Sequence, residues 1–298
     1  MEKKTCVLAL GYFDSVHIGH KKVISRAKAA AAALGASLGV FTFAGDLPAV
    51  FGKGGGTVFT LREREKLLRA AGADFVYAAP CDKTFLSLPK EEFLSFLRER
   101  FEVKGFVCGF DYTFGAGGAG DARYLEEYAA ARGLFCEVVP ALDADGEKVS
   151  TTAVKRSLSR GEIERANALL GAPYFVTGRV VKERGVGHRL GFPTVNLYPA
   201  AEKFPLKNAV YGGHAFAGGR EYRAIVNYGA RPTFGLDRPL VEAHLIGFDG
   251  DLYGEELEIY FDFFLRDIQK FSSAEELKAQ LARDRQRTLE HDKIRTER

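Results

Sequence analysis

A chain of 298 residues with 46% hydrophobic and 27% charged side chains has the composition of an ordinary soluble globular protein and the length of two domains. Its net charge of +3 is too weak a field to argue for nucleic acid, and no apolar run approaches the roughly 20 residues a bilayer span requires. The expectation is a cytoplasmic protein whose partners are neither nucleic acid nor membrane.

From Thr5 to Pro140 strand-like apolar runs alternate with helical patterns, opening on "TCVLALG", "HKKVISRAKAAAAAL" and "SLGVFTF" and closing on "ARYLEEYAAARG" and "FCEVVP". Strands separated by helices, with little polar alternation, predict a parallel sheet covered on both faces. That is a Rossmann-like α/β domain, with ligands expected at the carboxyl ends of its strands. Composition shifts after Pro140. "STTAVKRSLSRGEIERANALLG" reads as two short helices split at Gly161, and the chain turns β-rich from Tyr174. A hairpin about Gly218-Gly219 and a turn before "EELEIYFDFFL" predict a small antiparallel β-barrel. A terminal helix over "SAEELKAQLARDRQRTL" closes it, with Ser272 or Ser273 as its cap. The expected domains span 1–171 and 172–298. Cys6, Cys81, Cys108 and Cys136 form no C-x-x-C pair and read as buried free thiols.

"GYFDSVHIGH", residues 11–20, places His17 and His20 around Ile18-Gly19 where the first strand gives way to the first helix. A metal site would need a third ligand, for which Asp14 is the nearby candidate, and the pair lacks the one-face helical geometry of a metalloprotease. Phosphate handling suits the position, because a helix opening there aims unpaired N–H groups at the carboxyl edge of the sheet. Spacing alone leaves phosphate binding and a structural role both open. "GAGGAG", residues 115–120, satisfies G-x-G-x-x-G with Glu137 downstream, the pattern of a dinucleotide-dependent oxidoreductase. It follows the fourth strand rather than the first, which weakens that alternative.

"GYFDSVHIGH" resembles the G-x-F-D-x-x-H-x-G-H form of the nucleotidylyltransferase signature found in the bacterial bifunctional riboflavin kinase and FAD synthetase family. "GFDYTFG", "STTAVK", "ANALLGAPYFVTGRVV", "GFPTVNL", "NYGARPTF", "VEAHL", "DLYGEELEI" and "LRDIQKF" resemble the same family in the same order, across nearly the whole chain. The resemblance implies phosphorylation of riboflavin to FMN and adenylylation of FMN to FAD, with ATP and Mg²⁺. It assigns Gly11, Phe13, Asp14, His17, Gly19 and His20 to an ATP-phosphate site, with His17 and His20 catalytic. Asp111 and Phe114 would shape that pocket, and Ser150, Thr151, Thr152 and Lys155 would form a second phosphate clamp. Without the resemblance, "STT" reads as plain helix capping.

In the second domain the resemblance makes Thr194 and Asn196 the Mg²⁺ and phosphate contacts, both neutral oxygen donors suited to that ion. Gly185, Gly187 and Gly191 would form a loop over ATP beside Pro193, with Asn227 lining the site and Arg231 and Arg266 touching the flavin. Glu242 would be the general base. Strand alternation alone puts Val241, Ala243 and Leu245 on one face and Glu242 with His244 on the other, a solvated carboxylate. Departures fall mainly in the first half. "FTFAGDLPAVF" lacks the family's Pro-His-Pro and has Asp46 or Leu47 near its place, Lys155 replaces an arginine and loses its bidentate fork, and Ser15 stands where glycine is common. A kinase carrying a noncatalytic nucleotide- or flavin-binding first domain is therefore the alternative.

Overall fold

Every residue from Cys6 to Leu10 is buried, with side chains alternating between two separate cores. Cys6, Leu8 and Leu10 face one core, and Val7 and Ala9 face the other. Such a strand belongs at the centre of a sheet covered on both sides. A computed structural model of the chain describes residues 3–182, 192–230 and 239–296 and divides into two compact units, Met1–Ala153 and Val154–Arg298.

The first unit begins with β1 (Lys4–Leu10), α1 (Ile18–Ala33), β2 (Ser37–Ala44), α2 (Leu47–Val50), α3 (Leu61–Ala70), β3 (Phe75–Pro80) and α4 (Lys83–Leu86). It continues through α5 (Lys90–Arg100), β4 (Phe101–Gly109), β5 (Thr113–Phe114), β6 (Gly120–Asp121), α6 (Ala122–Ala130), β7 (Phe135–Val139) and a hairpin of β8 (Asp143–Ala144) and β9 (Glu147–Lys148). The main sheet is parallel, in the order β3-β2-β1-β4-β7. Val23, Ile24 and Ala27 of α1 and Leu68 of α3 pack on one face, and Phe93, Leu94 and Leu97 of α5 with Leu125 of α6 pack on the other. The order reverses between β1 and β4, which opens a crevice at their carboxyl ends.

In the second unit, α7 (Thr151–Arg160), which starts before the division, and α8 (Ile163–Leu170) precede β10 (Tyr174–Val181), β11 (Val195–Leu197), β12 (Ala209–Ala217), β13 (Arg220–Ala230), β14 (Pro239–Leu245), β15 (Glu256–Asp267) and α9 (Ala274–Thr296). The strands close into a barrel in the order β10-β11-β14-β13-β12-β15. Gly218 and Gly219, both at positive φ, make the two-residue turn between β12 and β13. A Cβ on Gly213 would collide with the carbonyl oxygen of Tyr260, so glycine is what lets β12 and β15 approach.

The units divide upstream of the boundary expected at 171, because α8 packs on β10 and β15. Its Ile163, Ala166, Leu169 and Leu170 are buried. Asn167 completes the attachment, donating to the carbonyl oxygen of Phe261 at 2.8 Å and accepting from the Tyr174 N–H at 2.7 Å.

Helix α9 docks on the barrel through a buried ion pair. The Arg266 guanidinium holds both oxygens of Asp284, Nε to Oδ1 at 3.1 Å and Nη2 to Oδ2 at 2.9 Å, and Asp284 is fully buried. Gln280 adds a hydrogen bond to Asp284 at 2.8 Å, and His291 stacks on Phe263 at 3.9 Å. Ser273 caps the helix through the Glu276 N–H, which selects between the two serines expected. Removing one member of a buried pair strands the other charge, at about 3–5 kcal/mol. Asp284→Ala is therefore expected to lower the stability of the barrel by about that amount in urea unfolding, and an unchanged midpoint would show that α9 docks by other means.

Candidate active sites

The loop after β1 is held in a conformation its residues resist. Phe13 (φ 51) and Val16 (φ 45) lie in the left-handed region, which costs on the order of 1–3 kcal/mol each and is worst for a β-branched side chain. Gly11 is needed because a Cβ there would come 2.8 Å from the Phe13 ring. Three anchors over-determine the loop. Asp14 Oδ1 accepts from the Val58 N–H at 2.9 Å, and the Ser15 and Thr151 hydroxyls meet at 2.9 Å. The Tyr12 carbonyl oxygen accepts from Thr42 Oγ1 at 2.6 Å and from Arg64 Nη1 at 3.1 Å. Arg64 is fully buried and also donates to the Phe43 carbonyl oxygen at 2.9 Å. No motif pointed to it, because it lies in an apparently ordinary amphipathic helix.

The strained loop delivers His17 to the N-cap of α1, where its Nδ1 accepts the His20 N–H at 3.0 Å. A neutral imidazole that accepts at Nδ1 carries its proton on Nε2, which makes Nε2–H the donor left for a ligand. The two rings stack at 3.6 Å, and Phe13 meets His20 edge-on at 5.1 Å. Burial pushes His17 down to about 4. His20 lies well below its ordinary value through burial and the neighbouring His17. Both rings are neutral near pH 7.

A cleft of about 270 Å³ opens beside the pair, lined by His17, Gly19, His20, Asp111, Ser150 and Thr151 among others. The cleft thus brings together six of the twelve residues the sequence singled out here. Ser150 Oγ caps α7 through the Ala153 N–H at 3.2 Å, the capping role that "STT" alone suggests. Thr152 is exposed, and the Lys155 ammonium sits 5.5 Å from the Phe204 ring centroid. Phe114 does not shape the cleft; it is buried in the aromatic core on the sheet's other face. Asp46 caps no helix with its side chain; it accepts the Gly56 N–H at 3.0 Å. "GAGGAG" forms the turn between β5 and β6, away from the first strand-to-helix crossover where a dinucleotide loop belongs.

The second site is a row across three strands. Asn196 on β11 pairs directly with Glu242 on β14, and Glu242 pairs with Asn227 on β13. Direct partners project to the same face. Asn227 Nδ2 donates to Glu242 Oε2 at 3.1 Å. Val241, Ala243 and Leu245 are buried, whereas Glu242 and His244 are half-buried on the opposite face, as alternation predicts. His244 Nδ1 donates to the Pro193 carbonyl oxygen at 2.8 Å and is held below its ordinary pKa chiefly by burial.

Asn196 is 4% exposed, and its Oδ1 is buried without a hydrogen-bond partner among the described residues. A lone hard oxygen in a dry position fits a divalent cation such as Mg²⁺. Thr194, Asn196 and Pro193 line a cleft of about 430 Å³ with Lys182, Phe248 and Tyr253. Arg266, expected at the flavin, is engaged with Asp284 and the Asp267 carbonyl oxygen, which gives it a structural duty the motif did not reveal. Gly185, Gly187, Gly191 and Arg231 lie outside the described residues.

A parallel-sheet unit with a histidine pair at its switch point, joined to a six-stranded barrel with a carboxylate beside an orphaned amide oxygen, defines a two-site phosphate-handling protein. The family model for FAD synthetase matches residues 1–153, and that for riboflavin kinase matches residues 170–291. The chain is 31% identical over 296 residues to the bifunctional riboflavin kinase/FMN adenylyltransferase of Bacillus subtilis (strain 168), covering 97% of this chain and 93% of that protein. It is 32% identical over 283 residues to the protein of the same name from Escherichia coli (strain K12), covering 94% and 90%. The chain belongs to the bifunctional riboflavin kinase/FMN adenylyltransferase family. A solved structure described as a macrolide-efflux protein from Streptococcus pneumoniae matches with a TM-score of 0.87 at 28% identity, covering 97% of this chain and 95% of that one. Among the described residues, no helix is long and apolar enough to cross a membrane.

The neutral state of His17 has a measurable consequence. Between its ordinary value of 6.5 and about 4, the unfolded chain binds a proton that the folded chain refuses. The folded state therefore loses stability as pH falls through that window. Thermal unfolding of the first unit is expected to show this loss. His17→Asn keeps a cap acceptor and should reduce the slope, the remainder coming from His20, which is also held neutral; an unaltered pH slope would contradict the assignment.

Proposed function

We propose that the chain phosphorylates riboflavin to FMN in the barrel unit and adenylylates FMN to FAD in the sheet unit, using ATP and Mg²⁺. The observation that carries the reading is that two family models fall on two compact units, each with its own cleft.

In the barrel, Glu242 takes the proton of the riboflavin primary hydroxyl as its oxygen attacks the γ-phosphorus of ATP, and ADP leaves. Asn227 orients the carboxylate through its 3.1 Å hydrogen bond. Asn196 and Thr194 would hold Mg²⁺, which would supply charge neutralisation at the phosphates. In the sheet unit a phosphate oxygen of FMN attacks the α-phosphorus of ATP and pyrophosphate leaves. That step needs positioning and preorganised donors rather than a covalent nucleophile. His17 supplies its Nε2–H and α1 its N-terminal N–H groups, while His20 packs between His17 and Phe13. The partners are small molecules, riboflavin, FMN and ATP, and neither nucleic acid nor membrane. We place the enzyme in the cytoplasm, in keeping with its four free cysteines.

Purified protein incubated with riboflavin, ATP and Mg²⁺ should yield FMN and then FAD on flavin chromatography. FMN without FAD would leave the sheet unit as a noncatalytic module, a reading that the missing Pro-His-Pro favours; neither product would defeat the whole assignment. Glu242→Gln should lower FMN formation by about 10²–10⁴-fold and spare FAD formation from supplied FMN. His20→Ala should do the converse, and equal loss of both activities in either variant would contradict two separate sites.

A further inference from the structure

We propose that Tyr12 is a positioning residue for adenylyl transfer, its hydroxyl a clasp that fixes the turn after β2 to the histidine loop. The inference rests on the adenylyl-transfer reading of the sheet unit. The chain lacks Pro-His-Pro at this turn and instead has Gly45 at φ 107, followed by Asp46 and Leu47. Glycine leaves such a turn loose, whereas proline would lock φ. Leu47 opens α2 with an N–H that has no intrahelical partner, and Asp46, the residue placed to cap it, turns its carboxylate to the Gly56 N–H. Tyr12 reaches the turn from the other side. Its hydroxyl donates to the Gly45 carbonyl oxygen at 2.9 Å and accepts the Leu47 N–H at 3.0 Å.

The clasp meets the histidine loop where the backbone is most constrained. Tyr12 directly precedes left-handed Phe13, whose ring meets His20 edge-on. The Tyr12 carbonyl oxygen is held by Thr42 and Arg64, and the Arg64 guanidinium lies 5.3 Å from the Tyr12 ring centroid. Main chain and hydroxyl together thus tie one residue to the end of β2, the start of α2 and the buried arginine of α3. Burial, with the charge of Asp14 adding to it, holds the phenol above its ordinary pKa, so the hydroxyl keeps its proton to donate. Tyr12 is not among the residues lining the cleft, so it acts through the loop and not on substrate. Left-handed Phe13 and Val16 would relax if the loop were freed, and a small displacement of the His17 donor is costly because preorganised donors work at fixed positions.

The test compares Tyr12→Phe, Leu47→Pro and the double variant in the full chain, measuring FAD formation from supplied FMN and ATP at a temperature where circular dichroism shows each to be folded. Tyr12→Phe removes the hydroxyl and keeps the ring. It should lower kcat about tenfold and leave KM for ATP within about twofold, because the displaced donors act as charge develops. Leu47 holds the first helical position, where proline is favoured, and Asp46 before it is extended (φ -89, ψ 96). Leu47→Pro should therefore stay within about threefold of the parent. Beside Leu47→Pro, loss of the hydroxyl should cost less than about threefold, since proline fixes the turn that the phenol no longer holds. A Tyr12→Phe variant within about twofold of the parent, a loss confined to KM for ATP, or a tenfold loss that persists beside Leu47→Pro would overturn the proposal. If Tyr12→Phe alone does not fold, FAD formation by the double variant supports the clasp and its absence overturns it. A parent that forms no FAD would instead defeat the adenylyl-transfer reading. Amide hydrogen exchange at Leu47 would then decide for the clasp, faster exchange in Tyr12→Phe supporting it and equal exchange overturning it.

Discussion

The side-chain period of two along a strand is the constraint on which the barrel site depends. Asn196, Glu242 and Asn227 stand in one row because β11, β14 and β13 pair in a single register, and a slip of one residue would turn any of them into the core. Closure of the barrel removes the edges at which such a slip could begin. The buried Val241, Ala243 and Leu245 hold β14 in place, and burying such side chains is worth about 1.5–3 kcal/mol each. The same burial that stabilises the barrel therefore fixes a carboxylate beside an orphaned amide oxygen.

The sheet unit fixes its site by the opposite means, a short loop held against its preference. Left-handed Phe13 and Val16 persist because Asp14, Ser15 and Tyr12 are each tied to a different part of the unit. Arg64 serves as the buried pin, its donors spread over the carbonyl oxygens of Tyr12 and Phe43. The resulting His17 cap gives up one ring nitrogen to the helix and keeps the other for a ligand. A rigid donor array requires no reorganisation as charge moves, which is what nucleotidyl transfer demands of a protein.

Much of this was legible in the sequence because local pattern and tertiary role coincide. Apolar runs without polar alternation foretold a doubly covered parallel sheet, and H-x-G-H fell on the helix N-terminus where phosphate chemistry belongs. Glu242 and His244 were separable from the core by parity alone. What escaped depends on distant partners. Arg266 sits in a motif, yet its duty is set by Asp284 on the last helix. Arg64 is surrounded by charged neighbours in sequence and by carbonyl oxygens in space. Phe114 lies in a motif that borders the cleft, yet its ring joins the core on the other face. The second of the two short helices, α8, belongs to the barrel only because its buried Ile163, Ala166, Leu169 and Leu170 pack there, which its sequence does not reveal.

Register alone brings Asn196 and Glu242, the proposed Mg²⁺ ligand and base, into one row. A crystal structure of the protein with ADP and Mn²⁺, the ion located by its anomalous signal, tests it most directly. The expected result is the ion bound to Asn196 Oδ1, with Glu242 facing the open side of the phosphates and still hydrogen-bonded to Asn227. An ion seated away from Asn196, or a Glu242 carboxylate turned out of the row, would contradict it.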